Sequence, residues 1–177
     1  MTPCFSVELL VRLTIPDSTA MTTRQTLHRL GMTTVARVYR AERWRFTFRG
    51  DHQTWQDVAN RLQQVDVLVN ANKHRSMVDL LSSPHDRPRP ALTPLPAAGT
   101  FPAWVSVRSR YDTRAQSVTA VLRTRLGFDR LVGFERDDVW RLDVAAASPD
   151  EAESVAAAAA HRLLANPQFQ EATVFRG

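Results

Sequence analysis

Arg12, Arg45, Arg108 and Arg141 are the residues of this sequence whose type and placement most suggest chemistry. Each lies in a segment where apolar and polar residues alternate, so each projects from the polar side of a strand. A guanidinium presents five donors in a planar fork that matches a carboxylate or a phosphate in two parallel hydrogen bonds. Together, the four predict a basic surface on an exposed sheet face, suited to a partner's carboxylates or a nucleotide phosphate. Trp44 and Trp140 directly precede two of these arginines and point the other way, where they fill a core or a packing interface.

Other chemistries find no support in residue spacing. The six glycines are scattered singly, so there is no phosphate cradle of the P-loop kind. His28, His52, His74, His85 and His161 lack metal-ligand spacing, and the single cysteine, Cys4, excludes an intramolecular disulfide and any cysteine-rich metal site. No set of side chains fills the roles of acid, base and nucleophile. The sequence therefore predicts no catalytic, cofactor-binding or metal residue.

The net charge of +5 is carried mainly by arginine, spread along the 177 residues rather than gathered into a stripe. That pattern argues against nucleic acid as the main partner. The apolar run from Phe5 to Ile15 contains Glu8 and Arg12 and is too short to span a membrane. No signal-peptide layout precedes it, and one cysteine suits a reducing compartment, so a cytoplasmic location is expected.

The elements that must position these residues occur twice. Leu30-Gly31 returns as Leu126-Gly127, Trp44-Arg45 as Trp140-Arg141, Val11-Arg12 as Val107-Arg108 and Asn70 as Asn166, always 96 positions later. Residues 7–78 slide onto 103–174 without a gap, and a constant offset through several motifs points to internal duplication. Between the copies Pro84, Pro88, Pro90, Pro94, Pro96 and Pro102 favour extended, semi-rigid backbone. The predicted organisation is a first copy over 1–80, a proline-rich linker over 81–101 and a second copy over 102–177.

Within copy one, residues 5–15 read as a strand, and Ser18 or Thr19 caps a helix that Gly31 closes through positive φ. Thr33 to Tyr39, a charged turn at Arg40 to Arg43 and the strand from Trp44 predict a β-hairpin. Trp55, Val58, Leu62 and Val65 then recur at helical spacing. Copy two repeats the plan. Its last helix starts at Ser148-Pro149-Asp150-Glu151 and stops at Asn166-Pro167, before a terminal strand at Ala172 to Phe175. Asn70 and Asn166 close their helix ends. The expected fold class is α+β: two tandem ferredoxin-like β-α-β-β-α-β modules, antiparallel sheets with helices on one face, packed as a pseudo-dimer.

Leu163-Leu164-Ala165-Asn166-Pro167, followed by a strand through Val174, resembles the carboxy-terminal signature of the PurS family, the small subunit of phosphoribosylformylglycinamidine synthase. Leu126-Gly127 and Leu30-Gly31 are similar to the family's turn after the first helix. Departures occur after the first strand, where Pro16-Asp17-Ser18-Thr19 and Tyr111-Asp112-Thr113-Arg114 replace the family's Asp-Pro-Gln-Gly, and at Leu68-Val69-Asn70-Ala71-Asn72. The resemblance implies a non-catalytic subunit of de novo purine synthesis that bridges glutaminase and ATP-dependent synthetase subunits and aids ammonia transfer. A duplicated ferredoxin-like module recognising an anionic small ligand or RNA is the alternative reading.

Overall fold

The computed structural model describes residues 3–81 and 94–176, so most of the proline-rich linker lies outside the described residues. The chain is α+β, with four helices and an open antiparallel sheet of six strands among the described residues. In chain order the elements are β1 (Cys4–Leu13), α1 (Ser18–Arg29), β2 (Val35–Arg49), α2 (Trp55–Gln63), β3 (His74–Leu81), β4 (Phe101–Ser109), α3 (Thr113–Arg125), β5 (Leu131–Val144), α4 (Pro149–Ala159) and β6 (Gln170–Arg176). The strand order is β3-β1-β2-β5-β4-β6. Among the described residues no helix is long and apolar enough to cross a membrane.

Local signals account for most boundaries. Asp17, rather than Ser18 or Thr19, caps α1, its carboxylate accepting from the amides of Thr19 and Ala20 at 2.9 and 3.1 Å. A carboxylate outcompetes a hydroxyl there because it also meets the positive end of the helix dipole. Asp112 does the same for α3. Ser148 accepts from the Glu151 amide, Pro149 takes the first helical position, and the Glu151 carboxylate accepts from the Ala147 amide, closing α4 as the sequence reading expects. Gly31 and Gly127 end α1 and α3 at φ of 86° and 66°, where a side chain would be strained.

The predicted hairpin at Arg40 to Arg43 does not form. Residues 35–49 are one unbroken strand, and so are 131–144 in the second half. Charge favours a turn only while it lacks partners, and here Arg40 and Glu42 find theirs on the other long strand and Arg43 finds Glu8 on β1. Arg40 pairs with Asp138 at 2.9 Å, and Arg136 reaches Glu42 at 3.4 Å and Asp112 at 3.0 Å. The order of each half is therefore β-α-β-α-β.

The chain forms two compact units, and each draws on both halves of the sequence. Unit one contains β1, β2 from Glu42 onward, α2, β3, α3 and β5 up to Arg136. Val7, Leu9, Trp44, Phe46 and Leu62 form its core with Ala115, Val118 and Leu122 of α3. Unit two contains α1, β2 up to Ala41, β4, the rest of β5, α4 and β6. Leu27 of α1 and Val35 join Val105, Trp140, Leu142, Ala152, Ala156 and Ala159 in its core. The alanines of α4 let that helix lie close to its strands. Among the described residues each unit thus has four strand segments and two α-helices, one of the helices contributed by the other half of the sequence.

Strand registers repeat at the sequence offset. Leu9 stands opposite Trp44 and Val78, and Val105 opposite Trp140 and Val174, each 96 positions on. Asn70 does not close a helix as expected, because α2 already ends at Gln63; Asn70 and Asn166 instead build the same turn into the last strand of each half. Asn70 Oδ1 accepts from the Asn72 amide, and Asn166 Oδ1 accepts from the Gln168 amide, both at 3.0 Å.

The exchange of helices sets the test. Residues 1–81 expressed alone lack the α3 face that covers the unit-one core, and are expected to show no cooperative monomeric unfolding by circular dichroism and sedimentation. Adding residues 94–177 should restore it. Two fragments that each melt cooperatively as monomers would contradict the exchanged helices. In the full chain, Leu122→Ala should cost about 2–5 kcal/mol.

Candidate functional site

The alternation of β1 and β2 sends Glu8, Arg43 and Arg45 to the side of the unit-one sheet away from the apolar core. There the Glu8 carboxylate, 3% exposed, accepts from Arg45 Nε at 3.3 Å and lies 3.8 Å from Arg43. Arg45 also lies 3.9 Å from Glu135. Burial raises the Glu8 carboxyl above its ordinary value, against the lowering influence of Arg43 and Arg45, while Asp79 raises it further.

In unit two Arg108 grips Asp137 with Nε on one carboxylate oxygen at 2.7 Å and Nη2 on the other at 3.4 Å. Arg141, almost completely buried, holds Asp143 at 2.7 Å and donates to the Pro94 carbonyl. Its guanidinium lies over the rings of Tyr39 and Trp104, 5.1 and 5.7 Å from their centroids. The Ala97 amide completes the arrangement by donating to Asp143 at 3.4 Å. The end of the linker is thus fastened to the unit-two sheet by a buried ion pair.

Of the four arginines marked by the sequence, Arg45, Arg108 and Arg141 are matched by carboxylates of the same sheet. The expectation of an open basic face fails to allow for Glu8, Asp137 and Asp143, which alternation places on the same side. Arg12 is half-buried without an ion pair among the described residues, because the position matching Asp137 is Ala41. Trp44 and Trp140 lie in the cores of units one and two. Each carries a guanidinium 5.6 Å from its ring centroid, Arg136 over Trp44 and Arg40 over Trp140. Among the described residues no three His, Cys, Asp or Glu side chains are grouped to hold a metal.

A second arrangement in unit one was not marked by the sequence reading. A cleft of about 280 Å³ lies between the start of α2 and the loop joining α3 to β5. Phe5, Phe48, Val58 and Phe128 supply its apolar lining, and Arg49, Arg61, Arg130, Asp57 and Asp129 its charge. Phe48 packs against both other rings, with centroid separations of 5.7 Å to Phe5 and 6.2 Å to Phe128. The Arg61 guanidinium sits 4.3 Å from the Phe128 centroid and donates to the carbonyls of Leu126 and Gly127 at 2.8 and 3.2 Å. The Arg49 amide donates to the Arg130 carbonyl at 2.8 Å, which brings the two residues together. The only signal in the sequence is a pair of glycine-flanked basic segments, Arg49-Gly50 and Gly127-Phe128-Asp129-Arg130, and nothing local joins them.

Glu8 yields a prediction with a definite sign. A carboxyl whose value is raised by folding contributes stability below its unfolded value and loses that contribution as pH rises through the folded value. Glu8→Gln keeps the neutral shape, so its stability relative to the parent should increase between pH 4 and pH 7 in denaturant titrations. A relative decrease over that range would show that the arginines outweigh burial. In comparison with known proteins, no family model matches this chain and no curated protein is significantly similar to it.

Proposed function

We propose that the protein is a non-catalytic, PurS-like subunit that bridges the glutaminase and ATP-dependent synthetase components of phosphoribosylformylglycinamidine synthase in the cytoplasm. The observation that carries this reading is the repeat of strand registers at 96 residues, which lets one chain supply what two copies of a small subunit would. In these terms the chain is a tandem pair of modules forming a pseudo-dimer, with helices exchanged between the halves.

Two further features support it. The Leu163-Leu164-Ala165-Asn166-Pro167 stretch that carries the resemblance has a local structural role. The Asn166 amide donates to Gln170 Oε1 at 2.8 Å and its carbonyl accepts from the Gln170 amide at 2.7 Å, turning the chain into β6. The same turn forms at Asn70, whose amide donates to His74 Nδ1 at 3.1 Å. A bridging subunit acts through surface and shape rather than through a catalytic group. Pairing of Arg45, Arg108 and Arg141 within the sheet also weakens the case for RNA, whose binding draws on unneutralised cations.

Co-purification with the two partner subunits is the test, joined to an assay of formylglycinamidine ribonucleotide synthesis. Activity from glutamine should require this chain, whereas activity from added ammonia should not. Partners that neither bind the chain nor respond to it would overturn the bridging role.

A further inference from the structure

Comparison of the two units at the level of single positions isolates what the fold does not need. The backbone hydrogen bond from Arg49 to Arg130 recurs in unit two as the Ala145 amide donating to the Thr34 carbonyl, also at 2.8 Å. These residues correspond at the 96-position offset, so the same backbone arrangement is built in both units. The side chains differ sharply. Where unit one has Arg49, Arg61 and Arg130, unit two has Ala145, Ala157 and Thr34. Alanine and threonine serve the scaffold at the positions of Arg49 and Arg130, so those two arginines are not there to hold it; Arg61 does hold it, through the Leu126 and Gly127 carbonyls.

Charge pairing points the same way. Arg49 and Arg130 are exposed and, among the described residues, make no side-chain hydrogen bond or ion pair, unlike Arg45, Arg108 and Arg141. Arg61 is anchored over Phe128 and onto two carbonyls, neither of which cancels its charge. Asp57 and Asp129 line the cleft without pairing to any of the three arginines. In unit two the residues matching Thr54 and Asp57 are Asp150 and Glu153, and Arg176 pairs with both. One unit thus neutralises this region internally, and the other leaves two guanidiniums free beside an apolar floor.

We propose that the unit-one cleft binds a small phosphate monoester with a planar, largely apolar body. Arg49 and Arg130 grip the phosphate, since two guanidinium forks lining one cleft suit a dianion. The body lies against the lining formed by Phe5, Phe48, Val58 and Phe128, beside the immobilised Arg61 guanidinium, which offers a flat cationic face. Asp57 and Asp129 accept from hydroxyl or amino groups of the ligand. Their negative charge also selects against an extended polyanion such as RNA. A volume of about 280 Å³ lies just below the usual range for ligand sites, which suits a mononucleotide rather than a larger ligand.

The site needs no partner protein, so it can be tested on the isolated full-length chain whatever the fate of the bridging role. Calorimetric titration at low salt with adenosine 5′-monophosphate, adenosine and ribose 5-phosphate separates the contributions of phosphate and ring. The nucleotide should bind, adenosine should not, and ribose 5-phosphate should bind more weakly. Arg49→Ala and Arg130→Ala should each weaken nucleotide binding about tenfold or more while leaving the thermal unfolding of the free protein unchanged. The double variant Arg24→Ala, Arg29→Ala removes two exposed charges of unit two and should leave affinity as it was. Absence of nucleotide binding, or equal weakening by the control, would overturn the site. Ribose 5-phosphate binding as tightly as the nucleotide would overturn the planar body.

Discussion

The structure depends on charge satisfaction in the middle of two long strands. Arg40 pairs with Asp138 and lies over Trp140, while Arg136 pairs with Glu42 and lies over Trp44. These are the same interactions at equivalent positions, one set in each unit. Partly exposed ion pairs contribute little to stability, at most about 1 kcal/mol each. Their larger effect is on conformation. Four charged side chains that would otherwise favour a solvated turn are held in extended backbone, so β2 and β5 each continue for fourteen or fifteen residues. Because the strand does not turn back, the helix before it covers apolar strands from the other half of the sequence. Exchange of α1 and α3 follows from the absence of a hairpin.

How much of this could be read from sequence depended on the range of each interaction. Helix ends were legible because Ser148, Pro149, Gly31 and Gly127 act within a few residues. The terminal strand β6 and the burial of Trp44 and Trp140 followed from periodicity. Arg40 to Arg43 reads locally as a turn because Asp138, the partner that keeps Arg40 extended, is 98 positions away. The cap of α1 fell to Asp17 rather than its neighbours for a simpler reason, the greater acceptor strength of a carboxylate.

The candidate site was legible in the same uneven way. Repetition drew attention to Arg45 and Arg141, yet their pairing with Glu8 and Asp143 shows that alternation alone cannot tell an exposed charge from a compensated one. Glu8 lies on a neighbouring strand, 37 positions from Arg45, and only the register of β1 against β2 brings them together. The cleft was invisible to a search for repeats because its three arginines have no counterparts in the other half.

The recurrence of strand registers at 96 positions makes that asymmetry informative. Positions that stay alike across the two halves, such as the tryptophans, the turn glycines and the asparagine turns, have demonstrable structural work in both units. A position where one half has arginine and the other alanine, on the same backbone hydrogen bond, carries no such common requirement. Arg49 and Arg130 also stand apart from the arginines that the sheet compensates. Ala145 and Thr34 make the same local backbone hydrogen bond without any charge. The difference between the units therefore separates residues that maintain the fold from residues that are free to meet something outside it.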